Sequence, residues 1–163
     1  TEGSRTAQLS FSSFGTVRSA TVTQRGQKRT WNEWKEDEIT SRDPDTDQTG
    51  PNDSPAGDGI PNLLKYATGL DPLKPCGSVV QVTAEEAGGD ACLVLGWPVN
   101  PEATGIRHAV EASEDLQTWT ETAEVKTEGK SSATFRDAVP MNAESPRRRF
   151  LRLKISREGE SPL

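Results

Sequence analysis

The sequence contains little of what catalytic and nucleic-acid-binding sites are built from. Its 163 residues include one histidine, His108, which alternates with Ile106 and Val110 on the apolar face of a predicted strand. A nucleophilic triad needs an exposed histidine beside a nucleophile and an acid. Carboxylates are abundant, but a fold of this size offers little concave surface for a glycosidase pair. We therefore expect no catalysis. The net charge of −6 repels phosphates, so we also expect no nucleic-acid partner.

Long apolar runs are also absent. No stretch is long enough for a secretion signal or a membrane span, so we expect no membrane-spanning segment. The chain begins at Thr1 without a methionine, and we expect it to be a processed or excised piece. Hydrophobic residues make up only 31%, yet apolar positions alternate towards the C-terminus, which predicts ordered strands.

The composition divides the chain into four expected parts. Residues 1–29 are rich in Ser, Thr, Gly and Arg, and we expect a loose N-terminal arm or the edge of an upstream domain, with one strand at 21–23. A helix-loop-helix element follows at 30–73, then a β-sandwich at 74–157 and a polar tail at 158–163. The predicted fold is mainly β with a small α element.

A helix start is predicted at residue 30. Thr30 can cap the helix, and Glu33 can complete a capping box. Helical spacing places Trp31 and Trp34 on one face with Glu38 or Ile39. We interpret the two tryptophans as core residues, and the alternative is a pair of sugar-stacking aromatic rings.

An acidic loop occupies the middle of the chain. In an EF-hand-like register that begins at Ser54, the ligand positions 3, 5, 9 and 12 fall on Ala56, Asp58, Asn62 and Lys65. An ammonium group cannot coordinate a cation. One hypothesis is therefore that Lys65 replaces the ion and lies against Asp58 or a neighbouring carboxylate.

A second register starts further upstream. Asp43, Asp45 and Asp47 form a D-x-D-x-D run that Asp58 and Asn62 would complete if residues 48–57 looped out. Calcium bound in this loop is thus one alternative. The other is that the aspartates are solvated and act as caps and turn residues.

A short packed helix is predicted after the loop. Pro61 suits its first position, and Gly69 followed by Pro72 ends it. Leu63, Leu64 and Ala67 form its apolar stripe.

These residues carry a resemblance to a known kind of module. Trp34, the run DGIPNLLKYA at 58–67 and GLDP at 69–72 resemble the calcium-loop module near the C-termini of large secreted bacterial proteins. Many of those proteins are polysaccharide-degrading or sulfatase-like, and their modules read DPDGDGIPNLLEYALGLDP. The resemblance covers residues 31–72 and extends more loosely over 110–119. The acidic residue of the last loop position is Lys65 here.

The resemblance implies a secreted, multidomain parent, located outside the cell or in the periplasm. It implies a non-catalytic accessory module with a degenerate EF-hand-like or dockerin-like loop, whose partners are upstream domains of the same polypeptide. Two alternatives stay open: a carbohydrate-binding module for anionic or neutral polysaccharide, and a module that folds only with calcium.

From residue 77 the apolar pattern changes to the period of two that is typical of strands. Six strands are predicted, at 78–84, 91–97, 106–112, 117–125, 131–136 and 148–156. They favour a small antiparallel sandwich with Trp97, Trp119, Phe135 and Leu151 in its core.

Cys76 and Cys92 are the only cysteines, and an even count in a secreted chain favours a disulfide. If the first two of these strands form a hairpin, Cys92 faces Glu85, which is about 30 Å of extended chain from Cys76. We predict the bridge, which requires the chain to fold back near Gly77 or the two strands not to pair.

The last strand carries the main basic cluster. Arg148, Arg152 and Lys154 share one face, opposite Leu151 and Leu153. One interpretation is a solvated outer face that protects a sheet edge. The other is a site for sulfated or uronic glycans, whose anions match arginine forks.

Overall fold

The computed structural model describes residues 4–13, 16–25, 27–87, 90–141 and 148–159. Within these ranges the fold is mainly β, with few helices. The strands are β1 (Ser4–Ser13), β2 (Thr16–Arg25), β3 (Gln81–Ala87), β4 (Asp90–Pro98), β5 (Ile106–Ser113), β6 (Thr120–Glu124), β7 (Ser132–Met141) and β8 (Phe150–Arg157). Helix α1 (Trp31–Lys35) continues into a π-helical turn (Glu36–Thr40), and α2 spans Asn62–Thr68. No helix among these residues is long and apolar enough to cross a membrane.

The N-terminal segment is more regular than expected. Strands β1 and β2 pair antiparallel over their full length, from Ser4 opposite Arg25 to Ser13 opposite Thr16. The strand predicted at 21–23 therefore exists as part of the longer β2, and β1 is an additional strand that the prediction lacked. The many threonines and valines of β2 favour extended backbone, although the segment has few apolar residues.

Two three-stranded antiparallel sheets form the body of the fold. Their strand orders are β3-β4-β7 and β6-β5-β8, so all six predicted strands exist, with bounds shifted by a few residues. Leu95 and Trp97 of β4, Val110 of β5 and Ala133 of β7 belong to one hydrophobic cluster. Because these residues come from both sheets, the sheets share one core.

The predicted core residues have different fates. Trp97 is buried, while Phe135 and Leu151 are partly buried and pack against the same cluster. Trp119 is not part of the core. It lies directly before β6, where its indole nitrogen donates to the Leu116 carbonyl and the Arg152 guanidinium lies 4.1 Å from its ring centre.

The helical segments pack around a second cluster. Trp31, Trp34, Ile39 and Tyr66 are buried together, and the capping box of Thr30 with Glu33 is formed as predicted. The Tyr66 hydroxyl bonds to the backbone of residues 29 and 104, which joins this cluster to the chain between β4 and β5. With helices of five and seven residues, the structure does not establish the predicted EF-hand-like pair.

The predicted disulfide is not formed, because Cys76 and Cys92 are free thiols. Strands β3 and β4 are hairpin partners, and their register places Cys92 opposite Glu85. Cys76 lies before β3 begins, nine residues away in sequence from that partner. The fold-back that the bridge requires therefore does not occur.

Candidate functional site

The acidic loop is closed by a buried lysine, Lys65. It lies on α2, which begins after Pro61 in extended conformation and ends at Gly69, whose φ of 75° is left-handed. The predicted end at Gly69 is confirmed, whereas the helix begins one residue later than predicted, because Pro61 is its N-cap and not its first helical residue. Of the predicted apolar stripe, Ala67 is buried and Leu63 is partly buried and packs against the second cluster. The prediction did not include Asn62 and Lys65, which are also buried on this helix.

The Lys65 ammonium is enclosed by three oxygen atoms. Its Nζ lies 2.8 Å from Asp58 Oδ2, 3.3 Å from the Pro72 carbonyl oxygen and 3.0 Å from the Lys74 carbonyl oxygen. The Lys65 side chain is 0% exposed and that of Asp58 is 5% exposed. An ammonium group has three donors, so every one of them has an acceptor. We call this arrangement the Lys65 cage.

The Asp58 carboxylate is held by several donors. Its Oδ1 accepts hydrogen bonds from the Ser54 hydroxyl at 2.9 Å and the Ile60 amide at 3.0 Å, and its Oδ2 accepts from the Cys76 amide at 3.0 Å. The Lys65 ammonium, together with these amides and the hydroxyl, holds the pKa of Asp58 well below its usual range. The cage therefore keeps a charged pair that joins the loop, α2 and the segment after α2.

Asn62 connects the first turn of α2 to the backbone of residues 48 and 50. It is fully buried, and its side-chain nitrogen donates to the carbonyls of Gln48 and Gly50 at 3.1 and 3.0 Å. Its Oδ1 has no hydrogen-bond partner in the described part of the chain. Asn62 thus ties the start of α2 to the part of the acidic segment between Asp47 and Pro51.

The upstream aspartates lie elsewhere. Asp45 and Asp47 are exposed and Asp43 is partly exposed, in a turn whose Asp43 carbonyl accepts from the Thr46 amide. Among residues 4–13, 16–25, 27–87, 90–141 and 148–159, no three His, Cys, Asp or Glu side chains come together as a metal-binding group. The structure therefore joins Asp58 to Ser54 and Lys65, as in the register that begins at Ser54.

The basic cluster of the last strand is paired with acidic residues. Arg152 Nε and Lys154 Nζ each lie 2.7 Å from an oxygen of Glu111, which is buried. Arg149 makes a bidentate contact with buried Asp137. Arg148 is exposed and precedes β8. Much of the positive charge predicted for an anionic glycan is thus offset within the protein.

The two tryptophans proposed for sugar stacking are inside the second cluster. Trp31 is 7% exposed and Trp34 is 3% exposed. Their ring centres are 5.4 Å apart, and each ring also contacts Tyr66. Neither ring has a free face for a sugar, so the core interpretation of these residues is the one that fits.

Sequence reasoning missed two sets of partners. The Pro72 and Lys74 carbonyls of the cage are backbone atoms, which carry no residue-type signal. Glu111 could have been suspected, because it occupies an outward position of a predicted strand. Its pairing with Arg152, 41 residues further along the chain, depends on the register of β5 with β8.

Comparison with protein-family models, curated proteins and solved structures gives no match to this chain. The resemblance of residues 31–72 to secreted calcium-loop modules therefore stays a prediction.

Proposed function

We propose that the chain is a non-catalytic accessory module of a secreted, multidomain protein, with a structural or attachment role. We propose further that it is a β-sandwich whose acidic loop is closed by the ammonium of Lys65 instead of a metal ion. The observation that carries this proposal is the Lys65 cage. In the loop register that begins at Ser54, Lys65 is the twelfth position, where a calcium loop carries its bidentate acid.

The chemistry of the cage supports an ion-free loop. Calcium takes six to eight oxygen ligands at about 2.3–2.6 Å. Here a positive group already lies among three oxygens at 2.8 to 3.3 Å, and it neutralises Asp58. A calcium ion at this centre would meet a buried like charge, so the residues present do not fit that ion. This speaks against the alternative of a calcium-dependent fold.

The environment of the single histidine supports a module without catalysis. His108 is buried, and its Nδ1 accepts a hydrogen bond from the Trp97 indole at 3.1 Å. Burial lowers the pKa of His108 to about 4. A neutral imidazole that is 3% exposed and bonded to Trp97 serves packing.

Anionic glycan binding by the last strand is the less supported alternative, because Glu111 pairs with two of its cations and offsets one of their two charges. Its test is an anionic-glycan array with the wild-type chain and with a variant in which Arg148 and Arg152 are replaced by Ser. We expect no binding that depends on these arginines. Binding that is lost in the variant would restore this alternative.

Calcium titration tests the ion-free loop. We expect no heat of binding at the acidic loop by calorimetry, and the same melting temperature in excess calcium and in chelator. Lys65→Glu restores the acid of the resembled modules and is the matched variant, whose stability we expect to depend on calcium. Tight calcium binding by the wild-type chain would refute the proposal.

The sequence upstream of Thr1 tests the multidomain part of the proposal. We expect it to contain a secretion signal and at least one larger domain. A parent protein without them would contradict the assignment as an accessory module.

A further inference from the structure

The sheet β3-β4-β7 carries a cleft on the face that points away from the shared core. Leu95 and Trp97 point into the core, so Gly96 between them lies on the opposite face. The strand register places Gly96 between Gln81 of β3 and Thr134 of β7. Because Gly96 has no side chain, this row is lowest at its centre and forms the floor of a half-open cavity of about 500 Å³.

The opposite wall of the cleft comes from the segment between α2 and β3. This segment contributes Leu70, Cys76 and Val79 to the lining. The Lys65 cage holds the same segment through the amide of Cys76, which donates to Asp58, and through two backbone carbonyls. The cleft is therefore built from one regular sheet face and one wall that the cage keeps in place.

The lining offers uncharged polar groups. Gln81, Ser132 and Thr134 are exposed, and their side chains make no hydrogen bond to another described residue. No Asp, Glu, Lys or Arg is among the residues that line the cavity. Amide and hydroxyl groups with free donors and acceptors match a ligand that is itself uncharged and rich in hydroxyl groups.

Small aliphatic surfaces complete the lining. Leu70 is partly exposed and Pro98 is exposed, and both can pack against the C–H face of a sugar ring. The lining contains no exposed aromatic ring, since Trp97 is 3% exposed, which disfavours a flat heteroaromatic ligand. The volume of about 500 Å³ lies within the range of small-ligand sites, about 300–1,000 Å³.

We infer that this cleft binds a neutral sugar residue, as part of a glycan or at its end. The sugar hydroxyls bond to Gln81, Ser132 and Thr134, and its C–H face packs on Pro98. The uncharged lining and the net charge of −6 disfavour uronic and sulfated sugars. This site lies apart from the basic strand and goes beyond the accessory role proposed above.

Glycan binding by the full chain is the direct test. Binding is screened on an array of neutral oligosaccharides and measured by calorimetry with cellobiose, maltose and lactose. Sulfated or uronic counterparts and a short apolar peptide serve as competitors. We expect binding of at least one neutral glycan. Absence of binding to all neutral glycans overturns the inference, as does binding confined to anionic glycans or to the peptide.

Two variants locate the site. At Gly96 a new Cβ lies 3.8 Å from Thr134 Cγ2 and 4.0 Å from the Ala133 carbonyl oxygen, both ordinary contacts, so the Gly96→Val side chain starts from an accommodated Cβ and occupies the floor. A double variant, Thr134→Val with Ser132→Ala, keeps the shape and removes two hydroxyl groups. We expect each to weaken binding about tenfold or more, as expected for blocked or lost polar contacts. Thr83→Val, on the same face of β3 outside the cleft, is the control and leaves affinity unchanged.

A thiol reaction gives a second measurement. Cys76 lines the cleft and is partly exposed, whereas Cys92 is buried. We expect a bound neutral glycan to slow alkylation of Cys76 in the native chain, and Gly96→Val to remove this protection. Glycan binding that leaves the Cys76 rate and the affinity of both cleft variants unchanged would place the ligand elsewhere and overturn the inference.

Discussion

Replacement of Lys65 by methionine is the most direct perturbation of the buried cage. The Lys65→Met side chain has similar length but leaves the Asp58 carboxylate buried without its cation. The carbonyls of Pro72 and Lys74 also lose a donor. Removal of one partner from a buried ion pair costs about 3–5 kcal/mol. Since domains are stable by about 5–15 kcal/mol, this is a large share of the total.

Urea unfolding at pH 7, followed by tryptophan fluorescence and circular dichroism, measures this loss. For a chain of this length the corresponding fall in melting temperature is about 6–20 °C. A double-mutant cycle with Asp58→Asn separates the pair from the general effect of each change. We expect the double variant to be more stable than Lys65→Met alone, because no uncompensated charge stays buried.

A surface lysine provides the matched control. Lys74 lies 3.3 Å from Asp71, and its side chain is 76% exposed. Exposed ion pairs contribute about 0–1 kcal/mol, so Lys74→Met should change the free energy of unfolding very little. If Lys65→Met were as mild as Lys74→Met, or if its effect were independent of Asp58, the reasoning about the cage would be refuted.

Three further predictions concern other parts of the fold. The pKa of His108 is about 4 in the folded chain and 6.5 in the unfolded chain, so between these values the unfolded state binds the extra proton. The free energy of unfolding is therefore fully present above pH 6.5 and falls by about 3 kcal/mol as the pH drops to 4. Urea titrations should detect this fall, and His108→Asn should abolish it. Glu111→Gln should increase retention on a sulfated matrix, because Arg152 and Lys154 lose their counter-charge, and equal retention would argue against that pairing. Thr30→Ala should cost about 1 kcal/mol in thermal unfolding, through loss of the cap, and an unchanged melting temperature would contradict this.

Features that depend on neighbouring residues could be predicted from the sequence. The capping box needs only Thr30 and Glu33, and the end of α2 needs only Gly69. The β3-β4 hairpin is similarly local, and the predicted pairing of Cys92 with Glu85 is the one found. In each case a residue type has a physical effect within a few positions of itself.

Features that depend on distant partners could not be predicted. The pairing of Glu111 with Arg152 follows from the alignment of β5 with β8, which the pattern of either strand leaves undetermined. The predicted strand at 117–125 places Trp119 in the core. The strand begins only at Thr120, and Trp119 instead lies under the guanidinium of Arg152. Periodicity gives the face of a strand, but not where the strand starts.

The Lys65 cage combines a local pairing, which could be predicted, with contacts from a later segment, which could not. The pairing of position 12 with Asp58 could be proposed from the loop register, because both residues belong to one short segment. The two carbonyls, at Pro72 and Lys74, arrive only because Gly69 turns the chain back over α2. A covalently attached cation satisfies these oxygens at any calcium concentration. The segment between α2 and β3, which forms one wall of the cleft over Gly96, is then held in place without an ion. If an exchangeable ion held it, its position would depend on the concentration of that ion.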